Sequence, residues 1–120
     1  MRVLCVYRPG TAESDRPPTE LEMNTMGALI GEMMKAGVLL GAEGLDDPAK
    51  GAVIDFSGET PVVTDGPYGE TKELFGGFFL LEVASKEEAI EWAKRVPAVR
   101  GSKIEVRRVP GSDEVPAIDG

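Results

Sequence analysis

The side chains best suited by type to chemistry cluster in VTDGPYGETKE (63–73), between the short apolar run 61–63 and the apolar run 77–83. This stretch holds three carboxylates (Asp65, Glu70, Glu73), one ammonium (Lys72), one phenol (Tyr68) and the hydroxyls of Thr64 and Thr71, punctuated by Gly66, Pro67 and Gly69. A plain hairpin link needs only about two to five residues, and the connection from Asp65 to Gly76 is about twice that, a length that ordered functional loops often have. In a functional account, Asp65 or Glu70 is a carboxylate acceptor or base, Lys72 a cation and Tyr68 a flat wall with a hydroxyl. Gly66 and Pro67 fix the path that presents them. Asp65 ranks ahead of Glu70 as the single catalytic candidate, and Gly66, Pro67, Tyr68, Glu70, Lys72 and Glu73 are the candidate ligand-binding residues. The same residues have a purely structural account: Asp65 can bond the backbone two residues on, and Thr71 and Glu73 can anchor the loop ends. Asp65, Glu70 and Glu73 could hold a hard cation with water completing its shell. Their spacing is diagnostic of no metal, and neither a metal nor a cofactor is expected.

Several chemistries are excluded at once. The chain has no histidine, so imidazole catalysis, His-ligated metal and Ser-His or Cys-His pairs are absent. The one cysteine, Cys5, lies inside an apolar run, which makes it a small buried hydrophobe and rules out an internal disulfide. Gly76-Gly77 enters a strand rather than a helix and is no phosphate loop. The net charge of −8 repels phosphate backbones, and no basic stripe with interleaved aromatics offsets it, so nucleic acid is not an expected partner. No apolar run approaches the roughly 18 residues of a membrane span. The start MRVLCVYRPG is too short in apolar residues for a secretory leader. With one cysteine, this sets the expectation of a cytoplasmic protein without membrane contact.

The elements that must position the loop follow from periodicity. Residues 2–8 and 77–83 read as strands apolar on both faces: Val3, Cys5 and Tyr7 against Leu4 and Val6, and Phe79, Leu81 and Val83 against Phe78 and Leu80. Thr19 opens a helix with Glu22 completing a capping box, and Gly37 ends it. Met23, Met26, Ile30, Met33 and Met34 recur at helical spacing as its core stripe. Residues 38–45 form a glycine-broken strand, and 52–56 with 61–63 a hairpin. Ser85 caps a second helix with Glu88 as box partner. That helix buries Ala89, Trp92, Ala93 and Val96, carries Lys94 and Arg95 at its negative end, and is stopped by Pro97. Residues 102–109 alternate as a last strand, and 110–120 read as an acidic flexible tail after a single domain, 1–109.

The order β-α-β, hairpin, β-α-β predicts an α+β fold, ferredoxin-like with an added hairpin. Such a sheet has helices on one face only. The apolar second face calls for cover, most simply the same face of a second copy.

GVLLGAEGL (37–45), VTDGPYGETKELFGGFFLLEVASKEEAIEWAKRVP (63–97) and IEVRRV (104–109) together resemble the YCII-related, DGPF-domain family, in order, over roughly residues 2–109. The signature DGP-x-x-E-T-K-E is the specific part; Tyr68 stands where the name-giving motif has Phe, keeping a ring and gaining a phenol. The resemblance implies a homodimeric α+β barrel, two ferredoxin-like units packed sheet to sheet, and no settled activity. Some relatives carry a His-Asp pair proposed to be catalytic; without histidine, Asp65 is the part of such chemistry this chain can retain. Members are often encoded beside sigma factors, which implies a regulatory context. Two functions are therefore expected to compete: a small molecule bound or transformed in a pocket roofed by the 65–76 loop, and a non-catalytic regulatory or scaffolding dimer linked to sigma-factor-controlled transcription.

Overall fold

The computed structural model describes residues 1–9, 18–46, 50–65, 76–98 and 100–114. The chain runs β1 (Arg2–Arg8), α1 (Glu20–Lys35), β2 (Leu39–Gly44), β3 (Ala52–Asp55), β4 (Val62–Asp65), β5 (Gly77–Glu82), α2 (Lys86–Ala93) and β6 (Lys103–Val109), followed by a 3₁₀ turn at Ser112–Glu114. Four strands make one antiparallel sheet in the order β2-β5-β1-β6, and β3 and β4 pair only with each other as a separate ribbon. β5 lies between β1 and β2, and β1 lies between β5 and β6. Both β-α-β units are thus split by a strand from the other, an α+β arrangement. Within the single chain the sheet is open, with β2 and β6 as its edges.

The β1–β5 register pairs Val3 with Leu81 and Cys5 with Phe79 on one face, and Leu4 with Leu80 and Val6 with Phe78 on the other. Both helices cover the first face. There Val3, Cys5, Phe79, Leu81 and Val83 meet Leu29 and Met33 of α1 and Ala89 and Ala93 of α2 in one buried core. Leu4, Val6, Phe78 and Leu80 on the opposite face are only half-buried. The expected two-sided apolarity of these strands is therefore real, and one side of it carries no helix.

Local chemistry sets the helix ends as the sequence implied. Thr19 accepts from the Glu22 amide at 3.1 Å while Glu22 accepts from the Thr19 amide at 2.9 Å. At the other end Gly37 takes φ +73°, the Val38 amide reaches Met33 O and the Gly37 amide reaches Met34 O, each at 3.0 Å. This double bond pattern with a left-handed residue just past the helix needs glycine.

The methionine stripe is corrected in part. Met33 is buried and Met26 and Ile30 pack on the core, but Met23 and Met34 are exposed and Leu29 takes the buried place. Residues 26, 29, 30 and 33 share one face, and Met34 is turned about 100° beyond Met33.

The second helix also departs in detail. Ser85 accepts from the Glu88 amide at 3.2 Å, while Glu88 accepts from the Ala84 amide, not from Ser85's own, at 2.8 Å. The regular helix stops at Ala93, and the chain tightens through Arg95 N to Trp92 O and Val96 N to Ala93 O before Pro97. Arg95 pairs with Glu32 of α1 and lies 5.2 Å from the Trp92 ring centroid, so it ties the two helices together.

Of the expected tail, residues 115–120 lie outside the described residues. Residues 110–114 fold back on β6, where Glu114 accepts two bonds from Arg108 at 2.7 and 2.6 Å. The Arg108 guanidinium, with the Gly111 amide, holds the Glu114 carboxyl below its ordinary pKa.

The end of the sheet next to the hairpin is held by close backbone approach. Gly77 faces Gly44 across β2–β5, and a Cβ on Gly77 would sit 2.8 Å from the Glu43 carbonyl oxygen and 3.2 Å from Gly44 Cα. Backbone on that side cannot move without shifting β2. We expect Gly77→Ala to destabilise the fold by about 1–3 kcal/mol in denaturant unfolding. Gly76→Ala should cost less, because its Cβ would meet only the Tyr7 ring, at 3.2 Å, and the Pro9 ring.

Candidate functional site

Residues 45–76 leave the sheet after β2 and rejoin it at β5, and the two roots are bonded to each other. The Leu45 amide donates to Gly76 O at 2.9 Å, and the Gly76 amide donates to Tyr7 O at 2.8 Å. The ribbon and the link that follows it are thus one excursion from a single point at the sheet end. Within it, β3 and β4 pair Ala52 with Asp65, Val53 with Thr64, Ile54 with Val63 and Asp55 with Val62. At the turn the Asp55 carboxylate accepts from the Ser57 amide at 2.8 Å. Bonds from the Ser57 side chain and then its amide lower the Asp55 pKa.

Asp65, the catalytic candidate, is the last residue of β4 rather than the first of a loop, and it is exposed in the single chain. Its ladder partner is Ala52, the first residue of β3. Gly66, Pro67, Tyr68, Glu70, Lys72 and Glu73 lie outside the described residues. Gly76, at the far end of the link, is fixed in the sheet against the Tyr7 ring. The link therefore begins on an exposed carboxylate and ends on a backbone position where a side chain would meet an aromatic ring.

The charged groups of the bare sheet face form a feature that sequence reasoning did not single out. Register places Arg2, Leu4, Val6 and Arg8 of β1 beside Phe78, Leu80 and Glu82 of β5 and beside Lys103, Glu105, Arg107 and Val109 of β6. Glu43 of β2 lies opposite Phe78. Glu105 is held between Arg8 at 3.1 Å and Arg107 at 3.4 Å. The face thus has an apolar centre, a basic β6 flank and an acidic β2 flank. The signal was available in the alternation of 102–109, which puts Lys103, Glu105 and Arg107 on one side.

The other described candidates for chemistry are quiet. Among the described residues no three His, Cys, Asp or Glu side chains gather to hold a metal ion, and no helix is long and apolar enough to cross a membrane. Cys5 is fully buried, and burial pushes its thiol up from 9.0 to about 11. The thiol is therefore protonated at neutral pH and no nucleophile. Because the folded state holds this proton more tightly, its contribution is intact below about pH 9 and falls away as pH rises toward 11. A disulfide reagent at pH 8 should label Cys5 only as fast as the chain unfolds; rapid labelling of the folded protein would show the thiol accessible.

Since Asp65 is exposed at the end of β4, Asp65→Asn should change unfolding free energy by no more than about 0.5 kcal/mol. A larger loss would make the carboxylate an anchor of the ribbon instead of a free functional group.

The family model for the YCII-related domain matches residues 1–110. An uncharacterized protein of Rhizobium meliloti (strain 1021), R00369, is 31% identical over 84 residues, which cover 70% of this chain and 68% of that protein. The chain belongs to the YCII-related domain family.

Proposed function

We propose that the chain works as a homodimer of ferredoxin-like units packed sheet to sheet, a dimeric α+β barrel. It binds or transforms a small molecule in an apolar chamber beside the link that follows Asp65. The observation that carries this reading is the bare sheet face. Leu4, Val6, Phe78 and Leu80 form its centre, half-buried on the side opposite the helix-packed core. An apolar sheet face of this kind is covered in a stable protein, and a second copy is the simplest cover.

The flanks choose the orientation. A two-fold axis across the strands would set like flanks against each other, Lys103 and Arg107 on their own copies. An axis along the strands sets the acidic β2 flank of one copy over the basic β6 flank of the other. The second arrangement brings opposite charges together, as specific interfaces do.

A chamber built this way is apolar, with polar groups only at its rims, the common form of a small-molecule site. At one end of it lie the roots of the 45–76 excursion, and Asp65, which ends the ribbon's second strand, is the carboxylate proposed to serve the site. Gly66, Pro67, Tyr68, Glu70, Lys72 and Glu73 are the residues proposed to line and close the ligand side.

Sedimentation should find a dimer at micromolar concentration, with more than about 1,000 Å² buried. Leu80→Glu should convert it to monomer; a folded wild-type monomer would refute the assembly. Thermal shift against a metabolite panel then decides between the two expected functions. A ligand at about 100 times its dissociation constant adds about 2.7 kcal/mol, and this gain should be lost in Asp65→Asn. A dimer that responds to nothing in a broad panel would favour the regulatory or scaffolding role.

A further inference from the structure

The β3–β4 ribbon is the least self-sufficient part of the molecule. Its register partners Ile54 and Val63 are 54% and 64% exposed, and Phe56 is 73% exposed. A two-stranded ribbon alone is marginal in water, so these apolar side chains need a surface. The ribbon region is also acidic: among the described residues 44–46 and 50–65, Asp46, Asp55, Glu59 and Asp65 stand against Lys50 alone.

A matching surface lies on the opposite edge of the sheet. β6 is an edge strand with one side of its backbone unpaired, a template for further pairing. Beside it a groove between α2 and β6 has an apolar floor that includes Ile90, Val96, Ile104 and Val106, and Lys86 and Lys103 stand on its rim. Neither lysine makes an ion pair among the described residues. The ribbon is rooted at Gly44 and Gly77, and β5 and β1 separate that root from β6 of its own chain.

We propose that the acidic ribbon of one copy clasps the lysine-rimmed β6 edge of a second copy of this chain. This rests on the face-to-face dimer above. An axis along the strands keeps both copies' strand ends level while exchanging their flanks. The ribbon root lies at the Tyr7–Gly77 level, and Ile104 pairs with Tyr7 and Lys103 with Arg8 at that same level. The partner's ribbon therefore emerges beside Lys103. Asp65, which shares the Ile54–Val63 face of the ribbon, and Glu59 at its turn meet the lysines, while that apolar face meets the groove. Asp65 travels with the ribbon, so each candidate site lies against the neighbouring subunit.

The test is zero-length carbodiimide coupling of the full chain, which joins carboxylates to lysines only in direct contact. The covalent dimer and the monomer are separated on a denaturing gel and digested. The expected result is linkage of Glu59 or Asp65 to Lys86 or Lys103 in the dimer band and not in the monomer band. Sedimentation of the same sample separates the two ideas. A dimer whose ribbon carboxylates link elsewhere, or link to these lysines within the monomer, overturns the clasp and leaves face packing standing; a monomer overturns both. As a second measurement, Lys86→Glu with Lys103→Glu should weaken dimerisation about tenfold or more, and adding Glu59→Lys with Asp65→Lys should restore most of it. Failure of the reversed pair to restore a folded dimer, judged by circular dichroism, also counts against the clasp.

Discussion

The pairing of β1 with β5 decides most of what this chain can be. Both strands are apolar at every position from Val3 to Val6 and from Phe78 to Leu81, and their register stacks like on like across the pair. Side chains alternate between faces, so the residues that build the helix-covered core bring an equal apolar set to the other side. A strand pair meant for one-sided burial alternates with polar residues, as antiparallel sheets with a wet face do. These strands do not. Two helices pack on one face, and among the described residues there is no further α-helix for the other. The open edges, the orientation of any second copy and the outlying ribbon all follow from that imbalance.

Features that depend on a few consecutive residues were legible in the sequence. Thr19 with Glu22 and the left-handed Gly37 are local chemistry, complete within one helical turn. The strand and helix order follows from periodicity in the same way. What was not legible depends on tertiary choice. The rotation of α1 that buries Leu29 and exposes Met23 and Met34 is set by where the helix crosses the sheet, and methionine spacing alone fits several rotations. That β3 and β4 would stand apart as their own ribbon was equally hidden, since hairpin residues pair with each other whether or not the pair joins a larger sheet. Of the candidate site, Asp65 is placed at a strand end and exposed. Its chemistry depends on what comes to lie over it, which no single-chain pattern encodes.

Net charge also gave a coarse picture of the surface. A total of −8 suggests uniform acidity. The basic groups nonetheless gather on β6 and its flank, at Arg8, Lys103, Arg107 and Arg108, where Glu105 and Glu114 pair with the arginines, while the ribbon carries Asp55, Glu59 and Asp65. A molecule polarised in this way repels most anions at a distance yet presents one edge that suits its own opposite flank. Orientation between copies can then be set by charge while affinity comes from the apolar centre.

The bond between Leu45 N and Gly76 O gives this polarity its consequence for function. Because both roots of the 45–76 excursion meet there, the ribbon and the DGP link cannot be positioned independently of that point. Gly77 has no room for a side chain, with the Glu43 carbonyl 2.8 Å from where a Cβ would be, so the pivot itself is rigid. A contact that holds the ribbon therefore reduces the freedom of Asp65, which ends β4, and of the link that starts from it. Preorganising a binding loop in this way lowers the entropy that a ligand must overcome. The proposed assembly and the proposed ligand site would then be coupled through this one fixed point of the backbone, without any need for the two to share a side chain.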